Sequence, residues 1–255
     1  MNEYSVFDEF WKKTCKIIFE KDFSTIVDFK QYLVEGGADP IVTKQSGLSG
    51  NSVYMVKSEY LCSKARFISN NEREEYWDYI KKIKLDYNDF DSLVEGLKKH
   101  IFYAGNIILG NCGNITKSNK IVNSQHVLES TVIQNSRYVA FSTTIFGSHY
   151  IFGVNGAVDS NFVIGGFDNV SCNRVFEIFS CQNVSDSLYC GNMVGCTNCM
   201  FSFNQRNKEY VVGNNQLGRK EYFEIKTRLL SEIKNELDDK KQIFRICDIM
   251  GGKNE

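Results

Sequence analysis

The feature that most constrains this chain is a repeat of about twelve residues that runs through its second half, residues 111–214. Nine pentapeptides there begin with a small or turn-forming residue and end with an apolar one. The last positions, spaced by twelve with departures to thirteen and eleven, are Ile115, Val127, Val139, Ile151, Val163, Phe176, Tyr189, Met200 and Val211. A nearly constant period is typical of solenoids and not of β-sandwiches.

The length of the repeat predicts the form of each rung. A strand rises ~3.3 Å per residue, so a rung holds two strands of about four residues and two tight turns. Stacked rungs form a continuous core, because like side chains lie ~4.8 Å apart. A second apolar column is predicted half a rung away, fading at its fifth member: Ile121, Ile133, Ile145, Ala157 and Asn169. We therefore predict a two-sided parallel β-solenoid of about nine rungs.

The segments that flank the repeat have helical periodicity. Residues 52–68 are of β type, and amphipathic helices are predicted at 5–20, 23–33, 71–84 and 88–102, with Asn88 as the cap of the last. Residues 218–238 predict a helix that caps the open strand edges after the last rung. The expected fold class is α+β, with a mainly helical region at 1–105, the solenoid at 106–216, and a capping helix and tail at 217–255. Residues 243–250 are apolar, and the sequence leaves open whether they fold back or dock on a second chain.

The end of the repeat carries a signature that precedes the predicted helix. It consists of Cys196-Thr-Asn-Cys199, Arg206-Asn-Lys-Glu-Tyr210, Asn214-Asn-Gln216 and Lys220-Glu-Tyr222. This resembles the closing signature of uncharacterised, Asn- and Cys-rich short-rung β-solenoid proteins of poorly studied bacteria, archaea and their phages, and the likeness covers residues 111–237. The chain departs from that family in having Asn215 where Lys is usual and in lacking its cysteine-paired N-terminus. The resemblance implies the solenoid fold and no established activity.

An outward column of aromatic residues is the main predicted surface feature. Strand alternation turns outward the residues just before the predicted interior ones, namely Asn114, His126, Tyr138, Tyr150, Phe162, Val175, Leu188, Cys199 and Tyr210. The aromatic members make an apolar strip too large to leave in water, so the protein's own helices, a second subunit or a partner should cover it. The predicted binding face is Tyr138, Tyr150, Phe162 and Tyr210.

Two sets of residues are candidates for chemistry. His126 or His149 could act as the general base of a hexapeptide-like acyltransferase, although the eighteen-residue rung of that family is missing. Cys196 and Cys199 have metal-ligand spacing, but structural zinc sites usually combine two such pairs. We therefore expect no metal and no cofactor, and expect the nine cysteines to be free thiols in a reducing compartment.

Composition narrows the class of function. A net charge of −1 argues against a protein that grips nucleic acid through its phosphates. No apolar run approaches the ~18 residues of a membrane span, and the start of the chain lacks the pattern of a secretory signal. We expect a cytoplasmic, non-catalytic scaffold that presents a solenoid face to a protein partner or to itself. The alternative is the acyltransferase.

Overall fold

The helices flank the repeat on both sides. The structure, a computed structural model of the chain, describes residues 4–37 and 39–251. The helices are α1 (Ser5–Phe19), α2 (Lys30–Gly37), α3 (Arg73–Ile80), α4 (Phe90–His100), α5 (Arg219–Lys240) and α6 (Ile246–Met250), with 3-10 turns at Ile26–Phe29, Tyr60–Ser63 and Asn70–Glu72. Among the described residues, none of these helices has the length and apolar character needed to cross a membrane.

The helix predictions hold in part. The helix expected at 5–20 is confirmed as α1, and the one expected at 23–33 is a 3-10 turn followed by α2. The Asp89 carboxylate accepts a hydrogen bond from the Ser92 amide at 2.7 Å, so Asp89 caps α4 and the predicted cap at Asn88 is wrong. An Asp side chain at this position satisfies an amide that has no partner inside the helix.

The strands form two small sheets and one long one. Antiparallel β1 and β2 and parallel β3 and β4 belong to the N-terminal part, and the other fifteen strands build the solenoid. The strands are β1 (Ile41–Gln45), β2 (Ser52–Val56), β3 (Phe67–Ser69), β4 (Tyr103–Gly105), β5 (Ile108–Leu109), β6 (Gly113–Thr116), β7 (Asn119–Val122), β8 (Gln125–Leu128), β9 (Thr131–Gln134), β10 (Arg137–Ala140), β11 (Thr143–Phe146), β12 (His149–Phe152), β13 (Asn155–Val158), β14 (Asn161–Val170), β15 (Asn173–Gln182), β16 (Leu188–Gly191), β17 (Thr197–Phe203), β18 (Glu209–Val212) and β19 (Asn215–Gln216).

The predicted solenoid is confirmed. Strands one rung apart pair in parallel along two ladders, and the solenoid makes about nine turns over residues 108–212. The predicted interior stack is present in its first half as Ile115, Val127, Val139, Ile151 and Val163. The α+β fold class, with helices before and after the solenoid, is therefore confirmed.

The second half of the predicted interior stack is wrong. The offset between paired strands stays at twelve residues, so Val163 pairs with Val175 and Ile164 pairs with Phe176. The interior positions are therefore Val175, Ser187, Cys199 and Val211, whereas the prediction had named Phe176, Tyr189 and Met200. The prediction followed large apolar side chains, but the narrow interior accepts serine and cysteine, and the larger side chains lie under helices outside the ladder.

A finer period of three residues lies inside the rung. Every third residue from Asn114 to Gly213 has a positive φ, mostly near +50° to +60°. Each triplet holds an inward residue, an outward residue and a left-handed residue, and four triplets complete a rung. The inward side chains therefore form four columns, and the column of Ile121 continues beyond Asn169 with Cys181 and Met193. The fading predicted at Asn169 is a change from aliphatic to polar and sulfur side chains.

Serine and cysteine fill inward positions because they bond the backbone. The Ser130 hydroxyl donates to the Leu128 carbonyl at 2.7 Å and accepts from the Ser142 amide of the next rung at 3.1 Å. The Cys172 thiol takes the equivalent place and donates to the Val170 carbonyl at 3.4 Å. Both residue types are small and satisfy backbone groups in the interior, where an unpaired polar group is costly.

One side of the solenoid is covered by the protein's own helices. The 3-10 turn at Ile26–Phe29 and helices α1, α2 and α5 bury a column of outward apolar side chains from seven rungs. These are Leu128, Ala140, Phe152, Ile164, Phe176, Leu188 and Met200. Because large apolar side chains of the helices are buried against those of this solenoid side, the two form one hydrophobic core.

Different elements cover the two ends of the solenoid. At the start, the Asn119 side-chain amide donates a hydrogen bond to the Met55 sulfur at 3.6 Å, and Glu59 forms an ion pair with Lys120. At the finish, β19 turns back antiparallel on β18, and Tyr222 of the confirmed helix α5 is fully buried. Pairing and covering the terminal strands removes open edges that would otherwise recruit other chains. Helix α6 packs against β15 and β16, so the segment at 243–250 folds back on the body.

Candidate interaction surfaces

The predicted binding face is divided between two places. The rings of His126, Tyr138, Tyr150 and Phe162 stack in sequence, with centroids 5.3, 4.6 and 4.6 Å apart. Phe10 of α1 lies against three of these rings, 4.2 Å from Tyr138, and the aromatic column is half-buried. Tyr210 lies four rungs beyond Phe162 in the same register, beside Tyr222 and Phe223 of α5.

The aromatic column continues with charged residues. Arg174 and Asp186 follow Phe162 at the twelve-residue offset, and the Arg174 guanidinium makes two bonds of 2.6 Å to the Asp186 carboxylate. The prediction had placed Val175, Leu188 and Cys199 here, which is wrong because the assumed register had slipped. Val175 and Cys199 point inward, and Leu188 lies under the helix layer.

The second ladder carries an outward column that we call the open strip. Eight successive rungs contribute one side chain each, and every one is half-buried or exposed: Val122, Gln134, Phe146, Val158, Val170, Gln182, Val194 and Arg206. Five of the eight side chains are Val or Phe, and the strip is roughly 34 Å long at ~4.8 Å per rung. The stacked Phe167 and Phe179 on the same ladder are each 38% exposed. Sequence analysis missed this strip, although Val122, Phe146 and Val158 directly follow members of the second apolar column at the twelve-residue spacing.

The histidines lie among packed side chains. His126 stacks on Tyr138 and meets Phe10, and burial lowers its pKa. Burial and the Arg137 charge lower the pKa of His149, whose buried Nδ1 has no hydrogen-bond partner among the described residues. A cleft of about 1040 Å³ lies elsewhere, lined by residues that include Tyr76 and Trp77 of α3. The assignment of His126 or His149 as a general base stays a prediction.

The cysteines of the solenoid point into its interior. Cys196 and Cys199 are fully buried in different inward columns, and burial raises the pKa of Cys199 to about 12. Burial likewise raises the pKa of Cys172 to about 11 and that of Cys181 to about 12, so these thiols stay protonated at neutral pH. Among residues 4–37 and 39–251, no group of three or more His, Cys, Asp and Glu is arranged to hold a metal ion.

A buried charge cluster fastens the C-terminal segment to the solenoid. Glu177 is 2% exposed and accepts bonds from Arg245 at 2.5 Å, from the Tyr32 hydroxyl at 2.9 Å and from the Ile246 amide at 3.2 Å. The Arg245 guanidinium also lies 3.6 Å from the centre of the Tyr32 ring. Sequence analysis missed this cluster, although the scarcity of charge in the repeat makes Glu177 stand out.

Helices α3 and α4 differ from the rest of the molecule because they bury no side chain in a hydrophobic core. None of residues 73–102, all of which the structure describes, is buried. The apolar side chains exposed there include Trp77 at 60%, Tyr87 at 77% and Phe90 at 77%. This segment is a second candidate interaction surface.

Known proteins offer no independent guide to these surfaces. Comparison of the chain with protein-family models, with curated proteins and with solved structures found no match.

Proposed function

We propose that the protein is a non-catalytic scaffold whose solenoid presents the open strip to a protein partner. The observation that carries this proposal is the contrast between two outward columns of the same rungs. The column from Leu128 to Met200 is buried by the protein's own helices, whereas every member of the open strip remains half-buried or exposed.

The form of the strip supports binding to another protein. Its side chains stand on a hydrogen-bonded ladder, so their spacing is set by the backbone and little conformational entropy is lost on binding. Apolar side chains in the middle, with Gln182 and Arg206 towards one end, match the apolar centre and polar rim of protein interfaces. We place this scaffold in the cytoplasm, where its free thiols would stay reduced.

The other predicted surface is less available. α1 contacts Tyr138 and Tyr150, and α5 contacts Tyr210, so a partner would share these residues with the protein's own helices. The binding face at Tyr138, Tyr150, Phe162 and Tyr210 stays a prediction. The membership of the short-rung repeat family likewise stays a proposal, supported by the twelve-residue register.

Site-specific crosslinking in the native host tests the proposal. A photoreactive amino acid at Val158 or at Val170 should give a discrete crosslinked product, and the same group at Lys220, a 93% exposed side chain of α5, should not. Phe146→Glu in the same chain should remove the product, because a buried charge opposes the apolar contact. Equal products from the strip and from Lys220, or none from the strip, would contradict the proposal. A product of twice the chain mass would identify the partner as the protein itself.

A further inference from the structure

Helix α4 carries an apolar stripe that the protein covers only in part. Phe90, Leu93, Val94, Leu97 and Ile101 recur at helical spacing, and none is buried. Phe90 is 77% exposed and Ile101, which follows the last helical residue, is 47% exposed. A surface helix normally buries such a stripe against a core, but here Leu93, Val94 and Leu97 are only half-buried and both ends of the stripe are exposed.

The stripe borders an apolar groove. Val94, Leu97 and Ile101 line a cleft of about 500 Å³ together with Leu61, Ala65 and Tyr103. Arg66 also lines the groove, and its guanidinium donates a hydrogen bond to the Lys98 carbonyl at 2.5 Å. This bond attaches the segment around Arg66 to the end of α4. A groove beside an apolar helix is suited to receive a second amphipathic helix.

The charges on α4 specify which helix fits. Its N-terminal cap and first half are acidic, with Asp89 as the cap and Asp91 and Glu95 in the helix, and its last turn is basic, with Lys98 and Lys99. An antiparallel helix of the same sequence places the acidic half of each copy beside the basic end of the other. A parallel copy would oppose like charges, and a partner of uniform charge would match only one half.

We propose that α4 is a dimerisation helix that pairs antiparallel with α4 of a second copy of this chain. In such a pair, centred between Val94 and Leu97, Phe90 meets Ile101 of the second copy. Asp91 lies near Lys98 of the second copy, and the two-fold axis makes every contact occur twice. The opposed helix dipoles add to the attraction.

The size of the contact sets the strength of the dimer. Eleven residues of helix span about 16 Å, so the pair and its groove bury less than the ~1,200 Å² of a stable interface. The dimer is therefore reversible and depends on concentration. It is independent of the proposed scaffold function, because the open strip lies on other residues and either surface can fail alone.

Sedimentation equilibrium of the full chain tests the proposal. The wild-type chain should dimerise reversibly, and Leu97→Glu should weaken self-association at least tenfold. Val170→Glu, which places the same charge on the open strip, should leave the dimer intact. At dilute concentration the two variants should have similar thermal unfolding midpoints, because neither Leu97 nor Val170 is buried.

Charge variants test the orientation of the pair. Asp91→Lys with Glu95→Lys makes α4 uniformly basic, and Lys98→Glu with Lys99→Glu makes it uniformly acidic. Each variant alone should self-associate at least tenfold more weakly, their equimolar mixture should form a heterodimer, and the fourfold exchange should restore the homodimer. A wild-type monomer at all concentrations, or a dimer insensitive to Leu97→Glu and to the charge variants, would overturn the proposal. If the chain is monomeric and binds another host protein, and the α4 variants abolish that binding, the stripe is the site for that protein and the dimer proposal is equally overturned.

Discussion

Helices α1 and α4 have similar amphipathic patterns and opposite surroundings. α1 buries Phe7, Trp11, Cys15 and Phe19 against the solenoid, whereas the stripe of α4 remains accessible to solvent. The difference teaches that helical periodicity predicts an element and its apolar face but does not predict what covers that face. In this protein the solenoid buries the apolar face of α1, whereas the apolar stripe of α4 is at most half-buried.

The largest expected effect comes from making one substitution in both helices. Phe19 is 1% exposed and packs edge-on against Phe176, with ring centroids 4.9 Å apart, so Phe19→Ala should lower the free energy of unfolding by about 3–5 kcal/mol. Phe90→Ala should change it by less than about 0.5 kcal/mol. Urea unfolding of dilute protein measures both values. Similar losses in the two variants would show that the two helices do not differ as the structure indicates.

A second pair of variants compares a buried ion pair with an exposed one. Glu177→Ala should lower the free energy of unfolding by about 3 kcal/mol, because the largely buried Arg245 guanidinium then lacks its carboxylate partner. Proteolysis of the chain near Arg245 should become faster, because α6 loses its attachment. Glu95→Ala, which removes the exposed partner of Lys98, should leave the urea midpoint unchanged. An unchanged midpoint for Glu177→Ala would contradict the role given to the cluster.

A smaller effect is expected from the backbone of the solenoid, which, unlike α4, uses left-handed residues throughout. Val132 is β-branched and has φ near +57°, a conformation that favours Asn. Val132→Asn should therefore raise the free energy of unfolding by about 1 kcal/mol. Val158→Asn, at an outward position without positive φ, is the matched control and should give no gain. A loss of stability at Val132 would mean that its packing outweighs its backbone strain.

The smallest expected effect is a pH dependence that arises in the solenoid and not in α4. Burial lowers the pKa of His126 and of His149, so the unfolded chain takes up protons first as the pH falls below about 6.5. The stability linked to these neutral rings is fully present above that pH and is lost on acidification. The double variant His126→Asn/His149→Gln should have a flatter dependence of urea midpoint on pH between about 7 and 5. An unaltered slope would contradict this assignment.

The sequence by itself determined the solenoid, because a repeated period can be satisfied only by stacking like residues, and Ile115 to Val163 occupy the interior stack as predicted. It also determined where α1 and α5 form, since their periodicity is local. The register after Val163 was decided by the tertiary structure: whether Val175 or Phe176 points inward depends on the narrow bore and on the helices outside.

Only the tertiary structure decided which surfaces are covered. The exposure of a side chain depends on residues distant along the chain, so no local pattern distinguishes the buried column of Leu128 from the open strip of Val122. The same reason separates α1 from α4: burial is a property of two surfaces that meet, and a sequence pattern describes only one of them.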